Sequence, residues 1–157
     1  LPETDEAPDV PPICSYPSAD QKRESDDTLS IRLVTPARVR KDGSVARKLE
    51  PETLVAHLLR RLSALAYFNG GGQPDLDFRG LVEEAGDAEI ARDETIWESY
   101  ERYSGRQDRT MPFGGLLGKI EYRGLSPMLA ELIAAGSFIG AGRHTTFGFG
   151  HYRVVGS

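Results

Sequence analysis

Cysteine is nearly missing from this chain: Cys14 is the single one in 157 residues. That excludes a disulfide within the chain and any metal cluster built on several thiolates, and it fits a reducing compartment. Histidine is also scarce, with only His57, His144 and His151. The carboxylates of the acidic middle segment have no accompanying His or Cys cluster, so neither a metal nor another cofactor is implied. No apolar run approaches the ~20 residues that span a bilayer, and no basic n-region precedes an apolar h-region. The expectation is a cytoplasmic, globular protein without a membrane partner. Gly-Lys-Ser/Thr is absent, which excludes the phosphate loop of nucleoside triphosphatases. The dinucleotide fingerprint also fails, because Thr145 stands where its third glycine belongs and the order is helix, glycines, strand.

Charge of one sign is short overall but not locally. The formal net charge of −5 argues at first against a nucleic-acid partner. Residues 1–27 hold eight acids and two bases, and residues 74–101 hold ten acids and two bases. Residues 28–61 instead carry eight bases against three acids, and residues 102–157 seven against three. Two basic segments in a polarised molecule can face a phosphate backbone together.

What the chain has in quantity is glycine near its end. Gly136, Gly140, Gly142, Gly148 and Gly150 fall within fifteen residues, interleaved with Arg143, His144, Thr145 and Thr146. Such a backbone can adopt positive φ and lie close to a ligand. Consecutive amides freed in this way make an anion-binding concavity, and the Arg143 guanidinium suits phosphate. The alternative is a helix C-cap at Gly136 followed by an ordinary turn.

Periodicity supplies the elements. Residues 1–27, with five prolines and many acids, read as a linker or arm. In residues 28–39, Leu29, Ile31 and Leu33 alternate with Ser30, Arg32 and Val34 as in a half-buried strand, and Pro36 marks an edge or a bend. Arg38, Arg40 and Lys41 lead into an Asp42-Gly43 turn, a basic flap. Pro51 opens a helix to about Phe68, with Leu54, Val55, Leu58, Leu59, Leu62, Leu65 and Ala66 on one face. His57, Arg60 and Arg61 fall on the other, which is RNA-facing or simply solvated. Residues 70–94 are glycine-rich, then acidic, with a short helix pinned by Phe78, Leu81 and Val82. Residues 96–104 and 111–122 form a hairpin. Ser126 caps a helix ending at Gly136, with Met128, Leu129, Leu132 and Ile133 on one face. Residues 147–155 form the last strand. The pattern βαββαβ is that of an α+β, ferredoxin-like fold, an antiparallel four-stranded sheet with two helices on one face. Residues 28–157 make this domain, with 70–94 as an insertion.

Three pieces recur together: the stretch from Trp97 to Gln107, the block Gly114-Gly-Leu-Leu-Gly118-Lys-Ile-Glu-Tyr122, and the run from Gly140 to Tyr152. With Leu33-Val-Thr-Pro36, they resemble the C-terminal domain of the CRISPR-associated endoribonucleases of the RAMP superfamily that cut precursor CRISPR RNA. The resemblance implies binding of CRISPR repeat RNA through Gly140, Gly142, Arg143, His144, Thr145, Thr146, Gly148 and Gly150. Arg38 and Arg40 join them from the basic flap. It implies metal-independent cleavage, in which the 2′-OH attacks the adjacent phosphate to leave a 2′,3′-cyclic phosphate and a 5′-OH. A base, an acid and cations for the phosphorane charge are needed. His144, beside Arg143, is the candidate catalytic residue within the chain, although family members commonly carry the catalytic histidine in their other domain. The start at Leu1 fits a missing upstream half. Tyr100, Tyr103 and Tyr122 are candidates for stacking on bases or for the core. Two further readings stay open: a non-catalytic subunit holding guide RNA among other effector-complex subunits, and a protein-interaction module. A homodimer is likewise open.

Overall fold

The computed structural model describes residues 28–69, 72, 75–104 and 109–156. The expected arm 1–27, the turn at 105–108 and the side chains of Tyr100 and Tyr103 lie outside the described residues.

Strand β1 (Thr28–Ala37) is followed by a small hairpin, β2 (Arg40–Lys41) and β3 (Ser44–Val45). Helices α1 (Pro51–Phe68) and α2 (Phe78–Gly86) come next, then the long hairpin β4 (Glu89–Ser104) and β5 (Arg109–Arg123), helix α3 (Pro127–Gly136) and strand β6 (Tyr152–Val155). The main sheet runs β4-β5-β1-β6, antiparallel throughout. Without the β2–β3 hairpin and α2 this is the ferredoxin-like order, with the first and last strands side by side.

The physical causes lie in the side chains. Leu29, Ile31 and Leu33 of β1 are buried, as are Leu116, Ile120 and Tyr122 of β5. They meet Leu54, Val55, Leu58 and Leu59 of α1 and Leu129 and Ile133 of α3 in one core. Two tyrosines anchor it through their hydroxyls: Tyr122 donates to the Leu49 carbonyl at 2.7 Å and Tyr152 to the Ile133 carbonyl at 2.5 Å. Tyr122 is fully buried and so is a core residue, not a base-stacking one. Ser126 caps α3 by accepting from the Leu129 amide, and Asp77 caps α2 by accepting from the Gly80 amide. Asp42 and Gly43 both have positive φ, 50° and 79°, as a two-residue hairpin turn of the primed type requires.

Several boundaries differ from the periodicity. Residues 89–94, expected in an insertion, belong to β4, where the register shifts between Ile90 and Arg92. The insertion therefore contributes only α2. Strand β6 starts at Tyr152 rather than 147, because Thr145–Phe147 forms a 3-10 turn flanked by His144 and Gly148 in the left-handed region. Pro36 sits in a central strand, not an edge strand, at a register shift between Leu33 and Ala37. Its ring removes a donor where the strand bends, while its carbonyl accepts from the Gly150 amide at 2.9 Å. Leu65, expected in the core, is exposed together with Tyr67 and Phe68, since α1 runs on past the sheet-facing core. Met128 is exposed as well. No helix among the described residues is long and apolar enough to cross a membrane.

Candidate nucleic-acid interface

Three segments distant in sequence meet at one cleft. Helix α1 contributes His57, Arg60, Arg61 and Ala64, the β2 strand contributes Arg40, and the glycine-rich loop contributes Gly142 and Arg143. The cleft encloses about 430 Å³. The loop is fixed to the end of β1 by an antiparallel bridge between Arg38 and Arg143, whose amide donates to the Arg38 carbonyl at 2.8 Å.

The glycines make that fixation possible. A Cβ on Gly142, at φ 87°, would lie 2.5 Å from the Arg38 carbonyl oxygen. On Gly150, at φ 73°, it would overlap the Ala141 carbonyl. Two residues of the other glycine block, Gly114 and Gly115, likewise face backbone, the latter with a Cβ position 2.8 Å from Ala37. The amides of Gly140, Ala141, Arg143, Phe147, Gly148, Phe149 and Gly150 are all bonded to the protein's own carbonyls. These seven amides are therefore turned inward and do not face a ligand. The glycines let the loop pack on the end of β1. Gly148 is different, because open space surrounds its Cβ position.

The side chains give the cleft its character. Among the described residues, no carboxylate pairs with Arg40, Arg60, Arg61 or Arg143. Arg61 Nη1 donates to Thr145 Oγ1, tying α1 to the loop, while its Nε is buried without a hydrogen-bond partner. Guanidinium groups gathered without counter-charge reinforce one another's positive potential. Two other cations of the flap, Lys41 and Arg47, are committed elsewhere. Lys41 Nζ pairs with Glu50 and Glu52, which hold its pKa above the ordinary lysine value. The Arg47 guanidinium sits 3.9 Å over the Trp97 ring.

His57 Nε2 lies 3.0 Å from the Arg40 carbonyl and 3.3 Å from its amide, so the ring holds the flap against α1. Its pKa is pushed below the ordinary value, first by burial and then by the Arg60 and Arg143 charges, against the opposing effect of the Arg40 carbonyl. The neutral ring is therefore the resident form near neutral pH.

The expected site residues are thus divided. Arg40, Gly142 and Arg143 line the cleft; Thr145 touches it through Arg61; Thr146 and Gly148 are exposed on the loop nearby. Gly140 and Gly150 are buried structural residues. Arg38 does not line the cleft, and its Nη1 donates to the Gly114 carbonyl at 3.2 Å. His144, at φ 65°, packs its ring 6.2 Å from Phe147 and 6.3 Å, edge to face, from Phe149. His57, Arg60 and Arg61 carry more of the site than the sequence suggested; their shared helix face was the available signal. No group of His, Cys, Asp and Glu among the described residues is arranged to hold a metal.

Strand order and the two helices on one side of the sheet make this a ferredoxin-like domain, with the glycine-rich loop following α3. A model of the CRISPR-associated endoribonuclease Cas6 family matches residues 31–152, and the chain belongs to that family. Among solved structures it is similar to a Cas6 product complex, with TM-score 0.59 and 19% identity over 86% of this chain and 54% of the other. Cas6 of Thermus thermophilus gives TM-score 0.59 and 18% identity over 83% of this chain and 54% of that one. A Cas6-RT-Cas1–Cas2 complex gives TM-score 0.58 and 20% identity over 85% and 14%. At such identities the likeness concerns the fold. The chain spans about half the length of the first two structures. No curated protein matches it.

Proposed function

We propose that this domain is the RNA-contacting C-terminal half of an endoribonuclease that processes CRISPR precursor RNA at its repeats without a metal ion. The observation that carries this reading is the cleft of four arginines without a carboxylate partner among the described residues, built against the glycine-rich loop of a Cas6-family domain. Phosphates of the repeat lie along Arg40, Arg60, Arg61 and Arg143, and the exposed loop residues Thr146 and Gly148 lie next to them. Membership of the family and the likeness to a Cas6 product complex support repeat RNA as the ligand.

Binding, rather than the chemical step, is the part assigned to these side chains. Only one imidazole lines the cleft, and the Arg40 backbone occupies its Nε2. His144 remains the candidate base of this chain, beside Arg143. The test is affinity for a repeat RNA hairpin as a function of salt. Four phosphate contacts give a log–log slope of about −3, and Arg60→Gln with Arg61→Gln together should lower its magnitude by about 1.5. An unchanged slope would remove the cleft from the interface. Cleavage is tested separately, with the intact protein in EDTA: a discrete product with a 2′,3′-cyclic phosphate supports the nuclease, and its loss in His144→Ala assigns the base. Binding without any product favours the second reading, a guide-RNA-holding subunit of an effector complex, which the single imidazole of the cleft also suits.

A further inference from the structure

A second depression opens beside the arginine cleft, between α1 and α2. It encloses about 630 Å³ and is walled by Leu59, Tyr67, Phe78 and Val82, with Arg60 and Ala64 on the side toward the cleft. Those two residues line both spaces. On α1, His57, Arg60, Ala64 and Tyr67 recur at spacings of three and four, so they form one continuous stripe leading from the cleft into the groove. Tyr67 is 68% exposed at the groove's end of this stripe. Among the described residues, Arg60 is the only charged one of the lining.

We propose that this groove receives an unpaired nucleobase of the RNA whose phosphates occupy the arginine cleft, with the Tyr67 ring as its stacking surface. The proposal rests on the reading of the cleft as an RNA site and adds to it a base-binding pocket. The groove suits that occupant on three counts. It is apolar and lies within the size range of small-ligand pockets. It offers an exposed aromatic face, and stacking on such faces is how proteins hold single-stranded bases. It also shares a guanidinium with the phosphate cleft, so one nucleotide can have its phosphate at Arg60 and its base against Tyr67. A purely apolar protein segment would gain nothing from Arg60 or from the adjoining positive cleft.

The test compares two single-stranded probes of equal length and charge at low salt, an oligoadenylate and the same ribose-phosphate strand made abasic. The 157-residue chain should bind the oligoadenylate about tenfold more tightly, in line with the cost of removing one stacking partner. Tyr67→Ala should erase that ratio while leaving affinity for the abasic strand unchanged, and Tyr67→Phe should keep it. Ala64→Trp, which fills the groove from its exposed rim, gives a second variant, and thermal melts confirm that each is folded. Equal binding of both probes by the wild-type chain, or a ratio that survives both Tyr67→Ala and Ala64→Trp, would overturn the pocket while leaving the cleft standing. Failure to bind either probe would overturn the cleft and the pocket with it.

Discussion

Gly148 and Gly150 have nearly the same backbone conformation, φ 83° and 73°, but opposite surroundings. Replacing each with alanine therefore separates conformational strain from steric conflict. Gly148→Ala meets nothing within 4 Å, so its cost is the left-handed conformation alone, about 1–2 kcal/mol. Gly150→Ala carries the same strain, and its Cβ also overlaps the Ala141 carbonyl. Relief requires the chain to move, breaking the bonds from the Ala141 amide to Gly150 and from the Gly150 amide to Pro36, each 2.9 Å long. At roughly 1 kcal/mol net for each bond, added to that strain, the total is about 3–4 kcal/mol. For a chain of this size each kcal/mol lowers Tm by roughly 3 °C. Gly148→Ala should thus melt about 3–6 °C below wild type and Gly150→Ala about 9–12 °C below it. Differential scanning calorimetry or circular dichroism reads both. Two variants melting within a couple of degrees of each other would refute the view that Gly150 is held by β1 and the loop backbone.

Acidification should loosen the flap. Because the folded state depresses the His57 pKa below its ordinary value of about 6.5, the unfolded chain takes up that proton first, and stability present above pH 6.5 is lost as pH falls. The melting temperature of His57→Gln should therefore decline less steeply between pH 7.5 and 5.5 than that of wild type; parallel declines would count against the ring's buried, neutral state. Tyr152→Phe removes the buried hydroxyl that donates to the Ile133 carbonyl, at a cost of about 1 kcal/mol. Urea unfolding should show it as a lower midpoint at an unchanged slope.

The elements were legible wherever packing follows local pattern. The alternation of Leu29, Ile31 and Leu33, the proline at the start of α1 and the serine before α3 each point to the element that forms. Misplaced boundaries have identifiable causes. Four of the six residues 89–94 are charged, as an edge strand allows, and Ile90 packs on the core without an alternating apolar row to mark the segment as sheet. Leu65 looks like core by helical phase, but phase says nothing of where the opposing surface stops. The site was legible only in part. Arg40 and Arg143 could be picked out by type, whereas their meeting with Arg60 and Arg61 depends on how α1 crosses the loop. The glycines were conspicuous, yet their surroundings were not: Gly142 lies against Arg38, more than a hundred residues earlier, Gly150 against Ala141 of its own loop, and Gly148 against nothing.

The pairing of β6 with β1 makes the domain's first and last strands neighbours. During synthesis, α1 and the β4–β5 hairpin can form while the ribosome is still reading, but the fourth row of the sheet and the loop that precedes it must wait for Tyr152 to emerge. Until then the Pro36 and Arg38 carbonyls lack their donors, and Arg143 is not yet beside the helix. Assembly of the arginine cluster is thereby a late event in the domain's folding, so a nascent chain shortened before β6 would present its basic helix face without the rest of the cleft.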